Sequence, residues 1–184
     1  MHGLKSLDVI KNPKSVSADY YHYCITLANV VPANVDWLLK SSERCPKNIL
    51  CHLLLGLFLE RMDLNYFAAE KLEKCLELAV ENGLDESKLA IIRNNLTRIY
   101  IWLNRFDDAT KLISKIEKSA MTASTYSNLF LMFYQQQNWD HCLATLDEMT
   151  SKFPKSSSQI FKAYVPLYFQ MDNIQSVKPI LISL

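Results

Sequence analysis

The stretch from Leu50 to Leu78, LCHLLLGLFLERMDLNYFAAEKLEKCLEL, decides the fold of this chain. Its leucine-rich first part places Gly56 one helical turn before Leu59. Ala68 follows Gly56 by twelve residues, and apolar residues follow four and seven positions later. Small residues with this spacing let two helices approach closely where they cross. The polar residues at 63–65 separate the two apolar runs, so we expect two helices joined by a short turn.

The same pattern recurs along the chain with a nearly constant period. The small or crossing positions are spaced 34, 41, 33 and 35 residues apart, at Asn34, Ala68, Ala109, Cys142 and Val177. The tetratricopeptide repeat (TPR) has a period of about 34 residues. The one long interval carries seven extra residues at Glu81–Ser87, where we expect Gly83 to end a helix and Asp85 or Ser87 to cap the next.

The repeat predicts an all-α fold, a TPR-like right-handed α-solenoid of about five antiparallel helix pairs. We expect residues 1–184 to form a single helical-repeat domain. The pairs are predicted at about 15–46, 49–80, 88–119, 123–154 and 158–184.

Composition narrows the possible functions. With three glycines among 184 residues, phosphate-binding glycine loops and tight hairpins are not expected. The net charge of +1 offers no concentrated basic surface for nucleic acid. No apolar run is long enough for a membrane span or a signal peptide, so we expect a soluble intracellular protein. The five cysteines are interpreted as buried residues in a reducing compartment.

Neighbouring histidines and cysteines are candidates for zinc ligands or nucleophiles. There are three such pairs: His22 with Cys24, Cys51 with His52, and His141 with Cys142. The pairs lie dozens of residues from one another, and they lack the paired spacing of a zinc site. No orienting third group or anion-binding turn accompanies them. We therefore expect no metal, no cofactor and no catalytic activity.

The functional surface is predicted on the first helix of each pair, which lines the concave face of a TPR stack. Counting along each first helix gives the expected partner-binding residues: Tyr20, Tyr23, Leu50, Leu53, Leu54, Leu57, Asn94, Asn95, Arg98, Trp102, Asn128, Leu131 and Tyr134.

Two groups in this set carry different predictions. The leucines exceed what one buried stripe requires, so either their helix is buried on all sides or its spare face meets an apolar partner. Asn95 and Asn128 occupy the same repeat position, where amides suit the backbone of an extended peptide. Lys111 and Lys115 fall on a second helix, where a solvated convex face is expected.

Two segments resemble one known family. Asp172–Pro179 is similar to a turn and helix of the form Gly-x-x-x-Ser-Val-Lys-Pro, and Ala68–Leu76 resembles an Ala-x-x-x-Leu-Glu-Lys-Ala segment. Both occur in the TPR subunit of the sister chromatid cohesion loader, the Mau-type cohesin-loading subunit. The resemblance covers about Pro32 to Leu184, and Ser176–Pro179 is its most specific part.

Members of this family are several times longer, so the resemblance implies that this chain is the N-terminal part of a longer array. It also implies a role in chromosome segregation during the cell cycle. A TPR superhelix of this family wraps the extended N-terminal segment of the large helical-repeat loader subunit. Together the two subunits load cohesin onto chromatin. By resemblance, the chain would be nuclear and chromatin-associated, and would contact cohesin and chromatin only indirectly.

A generic TPR adaptor, such as a co-chaperone or an anaphase-machinery scaffold, is the alternative. A chaperone clamp needs paired basic residues with asparagine to hold a terminal carboxylate. Here Arg98 lies near Asn95, but the predicted groove has no lysine to complete the basic pair. An enzyme or an RNA-processing subunit built on helical repeats would show convergent acid and base residues or basic, aromatic-rich segments, and neither is present.

Overall fold

The computed structural model describes residues 42–156 of the chain, and within that range the structure is all-helical with no strand. The predicted first and last pairs, at 15–46 and 158–184, therefore lie largely or wholly outside the described residues. So do Tyr20, Tyr23 and the Ser176–Pro179 segment. The chain divides into two compact units, residues 1–120 and 121–184, which are described separately.

Between residues 49 and 120, the first unit has four α-helices and a short 3-10 helix. They are α1 (Ile49–Arg61), α2 (Asn65–Glu81), α3 (Glu86–Trp102), α4 (Phe106–Ser114) and the 3-10 helix Lys118–Ala120. The helices α1 to α4 pack in sequence, each against the next, and α3 also contacts α1 and the 3-10 helix. The second unit contains α5 (Ala123–Gln135) and α6 (Trp139–Lys152), which pack against each other.

The closest approach in the first unit is between α1 and α2. A β-carbon built at Gly56 would lie 2.7 Å from Cγ of Leu72 and 3.3 Å from the carbonyl oxygen of Ala68. Only glycine fits at this crossing without displacing a neighbour. The predicted close crossing of Gly56 with Ala68 is confirmed.

The first helix of each described pair ends in the same type of turn. Asp63, Asn104 and Gln137 have positive φ angles of 60°, 57° and 55°. After each, the next amide bonds to the carbonyl five residues before it, as in Leu64 N to Leu59 O at 2.9 Å. This is the Schellman motif, which caps the last free carbonyls of a helix. Turns were predicted at all three places.

The small positions keep a constant distance from these turns. Ala68, Ala109 and Cys142 each follow the positive-φ residue by five positions, and all three are fully buried. In the second unit, Sγ of Cys142 lies 3.9 Å from the carbonyl oxygen of Phe130, which is twelve residues earlier as Gly56 is from Ala68. The same spacing between turn residue and buried small residue therefore occurs in both units.

The long interval between the first two described pairs is also as predicted. α2 ends at Glu81, and Gly83 has a φ of 61°. Asp85 is the N-cap of α3, and its carboxylate accepts from the amide of Lys88 at 3.1 Å. Only residues 82–85 connect α2 to α3, while Glu81 lies in α2 and Glu86 and Ser87 lie in α3, so the seven residues are shared between a short connection and the two helix ends.

The helix α4 is shorter than predicted. It ends at Ser114, where the sequence pattern predicted a pair extending to residue 119. Arg93 donates from Nη1 to the carbonyl oxygen of Lys115 at 2.9 Å. This bond satisfies a carbonyl that the early helix end leaves without an intrahelical partner. Ile116 remains buried beyond the end of the helix.

The core of the second unit lies between α5 and α6. Tyr126 and Phe130 from α5 pack with Cys142, Leu146 and Met149 from α6. The hydroxyl of Tyr126 donates to Glu148 at 2.9 Å. An aromatic side chain with a polar end thus joins the buried core to the surface of α6.

Candidate functional site

The leucines of α1 belong to the core. Leu50, Leu53 and Leu57 are buried, and Leu54 is half-buried. The helix α1 is buried over most of its surface, although Leu54 and Phe58 keep part of theirs accessible. Leu50, Leu53 and Leu57 therefore present little surface to a partner.

The two asparagines predicted to hold a peptide backbone are also buried. Asn95 is 7% exposed and Asn128 is 5% exposed. Nδ2 of Asn95 donates to the carbonyl oxygen of Ile91 at 2.8 Å, and its Oδ1 accepts from Nη2 of Arg98 at 3.3 Å. The expectation of open amides is corrected for Asn95 because its amide bonds within its own helix.

The ends of α1 and α3 are joined by an ion pair that the sequence did not indicate. Arg98 donates from Nε to Oε1 of Glu60 at 2.5 Å and from Nη2 to Oε2 at 2.6 Å. This is a bidentate contact, in which the planar guanidinium matches both carboxylate oxygens. Arg98 is therefore engaged within the protein, and its charge is balanced by Glu60.

A surface groove opens beside this ion pair. Its volume is about 470 Å³, and it is lined by residues from the last turns of α1 and α3 and from the turn before α2: Glu60, Arg61, Asp63, Asn65, Arg98 and Trp102. A groove of this size falls within the range of ligand-binding clefts. Arg98 and Trp102 were predicted for the functional surface, so the structure brings two predicted residues into one groove.

Trp102 is the most exposed of the predicted residues that the structure describes. It is 50% exposed at the end of α3. Across the groove, Asn65 donates from Nδ2 to Oδ1 of Asp63 at 3.0 Å, while Oδ1 of Asn65 accepts no hydrogen bond. The groove therefore combines an aromatic ring with a carboxylate and an amide.

Four lining residues were missed by the sequence analysis: Glu60, Arg61, Asp63 and Asn65. A signal for the first two existed. Arg61 and Trp102 each stand two residues before a positive-φ turn residue, so extending the predicted surface by one turn of α1 would have found Glu60 and Arg61. Asp63 and Asn65 were assigned to the turn only, because a turn sequence does not show which groove it borders.

Exposed apolar side chains surround the same turn. Four apolar side chains are exposed there: Met62, Leu64, Tyr66 and Phe67. In the sequence they alternate with or follow the groove residues Asp63 and Asn65. Exposed apolar groups clustered in one place mark interaction surfaces more often than scattered ones do. The turn before α2 and the adjoining groove are therefore the best candidate for a binding surface in the first unit.

In the second unit, the predicted residue Tyr134 belongs to an aromatic cluster with two residues that were not predicted. Tyr134 is half-buried, with its ring 5.9 Å from that of Phe130 and 5.6 Å from that of Trp139. Leu131 is half-buried on the same helix, and Asn94 of α3 in the first unit is also half-buried. These side chains retain part of their surface for contact.

The predicted convex lysines lie in solvent. Lys111 and Lys115 are exposed on and just after α4, and Nζ of Lys111 lies 3.7 Å from Asp108. Arg105 donates to Asp108 at 2.9 Å, and this hydrogen bond lowers the pKa of the Asp108 carboxyl. The second-helix face of this pair is a solvated network of paired charges.

Three of the described cysteines, Cys51, Cys75 and Cys142, have raised thiol pKa values. Burial raises the pKa of the Cys75 thiol, and it raises the pKa of Cys142 to about 11. Burial and the neighbouring Cys45 also raise the pKa of Cys51. A raised pKa favours the unreactive thiol over the thiolate. Within residues 42–156, no group of three or more metal-binding side chains converges, and no helix is long and apolar enough to cross a membrane.

Comparison with known proteins adds a likeness of fold. No protein-family profile matches the chain, and no curated protein matches its sequence significantly. Solved structures do match, among them the crystal structure of BtubC (BKLC) from P. vanneervenii. The TM-score is 0.61 at 22% sequence identity over 86% of this chain. The match spans 66% of the BtubC chain, just under two thirds, and at this identity it shows a similar fold alone.

Proposed function

We propose that this chain is a TPR-like α-solenoid that binds an extended segment of another protein and does not act as an enzyme. The observation that carries the proposal is the constant register of the described pairs. Each first helix ends in a positive-φ turn residue at position 63, 104 or 137, and a fully buried small residue follows five positions later. Repeated pairs of this kind stack into elongated surfaces that suit extended polypeptides.

The groove supports a binding role on the first-helix face. Arg61 on α1 and Trp102 on α3 occupy equivalent repeat positions, and both line the groove. The binding surface would therefore run from one first helix to the next. A polypeptide crossing it could contact both helices at once, and it would also meet the exposed apolar residues of the turn before α2.

A selection with displayed linear peptides tests this proposal. The full chain is immobilised, and random peptides of about twelve residues are enriched against it. Enriched peptides should lose binding to Trp102→Ala, which removes the exposed ring of the groove. Val80→Ala is the matched control, because Val80 is also an exposed apolar residue. It lies near the C-terminal end of α2, whereas the groove residue Asn65 is at the N-terminal end of that helix. No enrichment, or equal loss in both variants, would contradict a peptide-binding groove.

The narrower proposal is that the bound segment is the N-terminal region of the large cohesin-loader subunit. It rests on the resemblance of Asp172–Pro179 and Ala68–Leu76 to the Mau-type loader subunit. On this proposal the protein acts in the nucleus in sister chromatid cohesion. A generic adaptor, co-chaperone or anaphase-machinery scaffold remains the alternative.

Affinity purification separates these two readings. The tagged full-length protein should recover a large helical-repeat partner together with cohesin subunits if the narrower proposal holds. Recovery of chaperones or of anaphase-machinery subunits in their place would support the adaptor. A binding measurement with the synthetic N-terminal segment of the loader's large subunit then checks whether that contact is direct.

A further inference from the structure

The groove beside Trp102 holds two acidic and two basic side chains, which differ in how fully they are engaged. Glu60 and Arg98 neutralise each other through two hydrogen bonds. Arg61 also has an interaction partner of its own. Asp63 differs, because only its Oδ1 accepts a side-chain hydrogen bond among the described residues, and the donor is the neutral amide of Asn65.

Asp63 is held in place by the backbone. Its φ of 60° and the bond from its amide to the carbonyl oxygen of Glu60, 2.9 Å long, fix it as the turn residue of the Schellman motif. The side chain is exposed at the groove and forms no ion pair with a described residue. A carboxylate whose charge is unbalanced therefore borders the groove at a rigid position.

Trp102 supplies a second feature of the same groove. Its ring is half exposed, and it makes no hydrogen bond or aromatic contact within residues 42–156. The face of an indole ring attracts cations more strongly than that of any other side chain. A carboxylate and an indole in one groove are complementary to a positive charge on an apolar stem.

We propose that this groove binds a lysine or arginine side chain of the partner polypeptide, with the charge beside Asp63 and the stem against Trp102. The inference rests on the proposed function and names the chemistry of its partner: an extended segment with a basic residue at this point. Residues flanking the basic one would meet Met62, Leu64 and Tyr66, which are exposed beside the groove, so they are expected to be apolar.

Charge argues against an acidic residue in the same place. A partner carboxylate would lie near Asp63, while of the two groove cations Arg98 already forms a bidentate pair with Glu60 and Arg61 has an interaction of its own. Freeing Arg98 would leave Glu60, which is more buried than its partner, without a counter-charge. The groove therefore favours cations over anions.

A small-molecule titration followed by NMR tests the inference on the full chain. The probe is Nα-acetyl-arginine methylamide, and the observed signal is the indole NH of Trp102, assigned with Trp102→Phe. Nα-acetyl-citrulline methylamide is the neutral control, and Nα-acetyl-glutamate methylamide is the anionic one. The arginine probe should shift the signal saturably, and Asp63→Asn should weaken its binding about twofold to fivefold. Asp107→Asn, an exposed acid on α4 outside the groove, should leave it unchanged.

The outcomes distinguish this inference from the proposed function. A shift with the glutamate probe but not with the arginine probe overturns the cation site, and so does an arginine shift that Asp63→Asn leaves unaltered. If displayed peptides bind through Trp102 while the arginine probe does not, the proposed function survives and the inference fails. If the arginine probe binds and no peptide is enriched, the cation site stands and the peptide-binding proposal fails.

Discussion

The guanidinium of Arg105 lies over the ring of Tyr100, with the central carbon 4.1 Å from the ring centroid. The amide of Arg105 also donates to the carbonyl oxygen of Tyr100 at 2.8 Å. Tyr100 lies one helical turn before the turn residue Asn104, and Arg105 follows it directly. The contact between the two side chains therefore reinforces the backbone bond that closes the turn. The turn residue itself must adopt a positive φ, which is unfavourable for every residue except glycine.

Glycine at these turns is expected to stabilise the fold. Gln137 has a φ of 55° and lacks the short polar side chain that helps asparagine tolerate this conformation. Gln137→Gly should raise the free energy of unfolding by about 0.5–1 kcal/mol. Asn104→Gly should give a smaller gain. Urea denaturation followed by circular dichroism measures both.

The reverse substitution is the control for this prediction. Gly83→Ala places a side chain at a φ of 61° and should lower the free energy of unfolding by about 1 kcal/mol. If Gln137→Gly destabilised the protein and Gly83→Ala did not, backbone conformation would not be what limits stability at these turns.

Overpacking at a buried crossing position should destabilise the first unit. Ala109 is fully buried where α4 packs against α3. Ala109→Leu adds three carbons to a filled space and should cost about 1–3 kcal/mol. Ala144→Leu on α6 is the matched control, because Ala144 is exposed and the larger side chain can lie in solvent. Equal thermal shifts for the two variants would contradict the assigned register.

The Arg98 and Glu60 pair should couple α1 to α3 energetically. The side chains are 37% and 15% exposed, so solvent screens the pair in part. We expect a coupling free energy of about 0.5–1 kcal/mol in a double-mutant cycle with Glu60→Gln and Arg98→Met. Chemical denaturation of the four proteins measures it. Strict additivity would mean that the contact contributes nothing to stability.

The cap of α3 should be sensitive to acid. Hydrogen bonds from Lys88 and Ser87 lower the pKa of Asp85 from 3.8 to about 2. A carboxyl with a lowered folded-state pKa stabilises the fold above its unfolded pKa, and this stabilisation is lost as pH falls from about 4 to 2. Asp85→Asn should therefore be less stable than the wild type at neutral pH. The difference should shrink as the pH approaches 2, which urea midpoints across this range would show.

The turns could be predicted from the sequence because their signals are local. Polar residues at 63–65, 104–107 and 137–138 fall at matching repeat positions, and the backbone at each follows from residues within one turn of helix. Gly56 and Ala68 were recognised for the same reason, since twelve residues always separate the two sides of the crossing. The end of α4 was missed because it depends on Arg93, which lies 22 residues away from the carbonyl that it binds.

The candidate site was harder to predict because burial depends on neighbouring helices. A helical wheel gives the direction of Asn95, but its bond to the carbonyl of Ile91 and its contact with Arg98 are not visible in a repeat pattern. The pairing of Arg98 with Glu60 joins residues 38 positions apart. Trp102 was among the predicted residues because of its position in the repeat, and its ring is 50% exposed.

Binding should depend on the groove and not on the lysines of α4. Because Asn95 is engaged inside the protein, the ring of Trp102 and the carboxylate of Asp63 are two groove groups that remain accessible to a peptide. Trp102→Ala should weaken binding of an enriched linear peptide by about 1–2 kcal/mol, roughly tenfold, since exposed aromatic residues dominate such interfaces. Replacing Lys111 and Lys115 together with alanine should leave affinity within about twofold, because both side chains lie in solvent away from the groove. Fluorescence anisotropy with a labelled peptide measures both, and circular dichroism checks that each variant stays helical. Loss of binding in the lysine variant with full binding in Trp102→Ala would place the binding surface on the second helices.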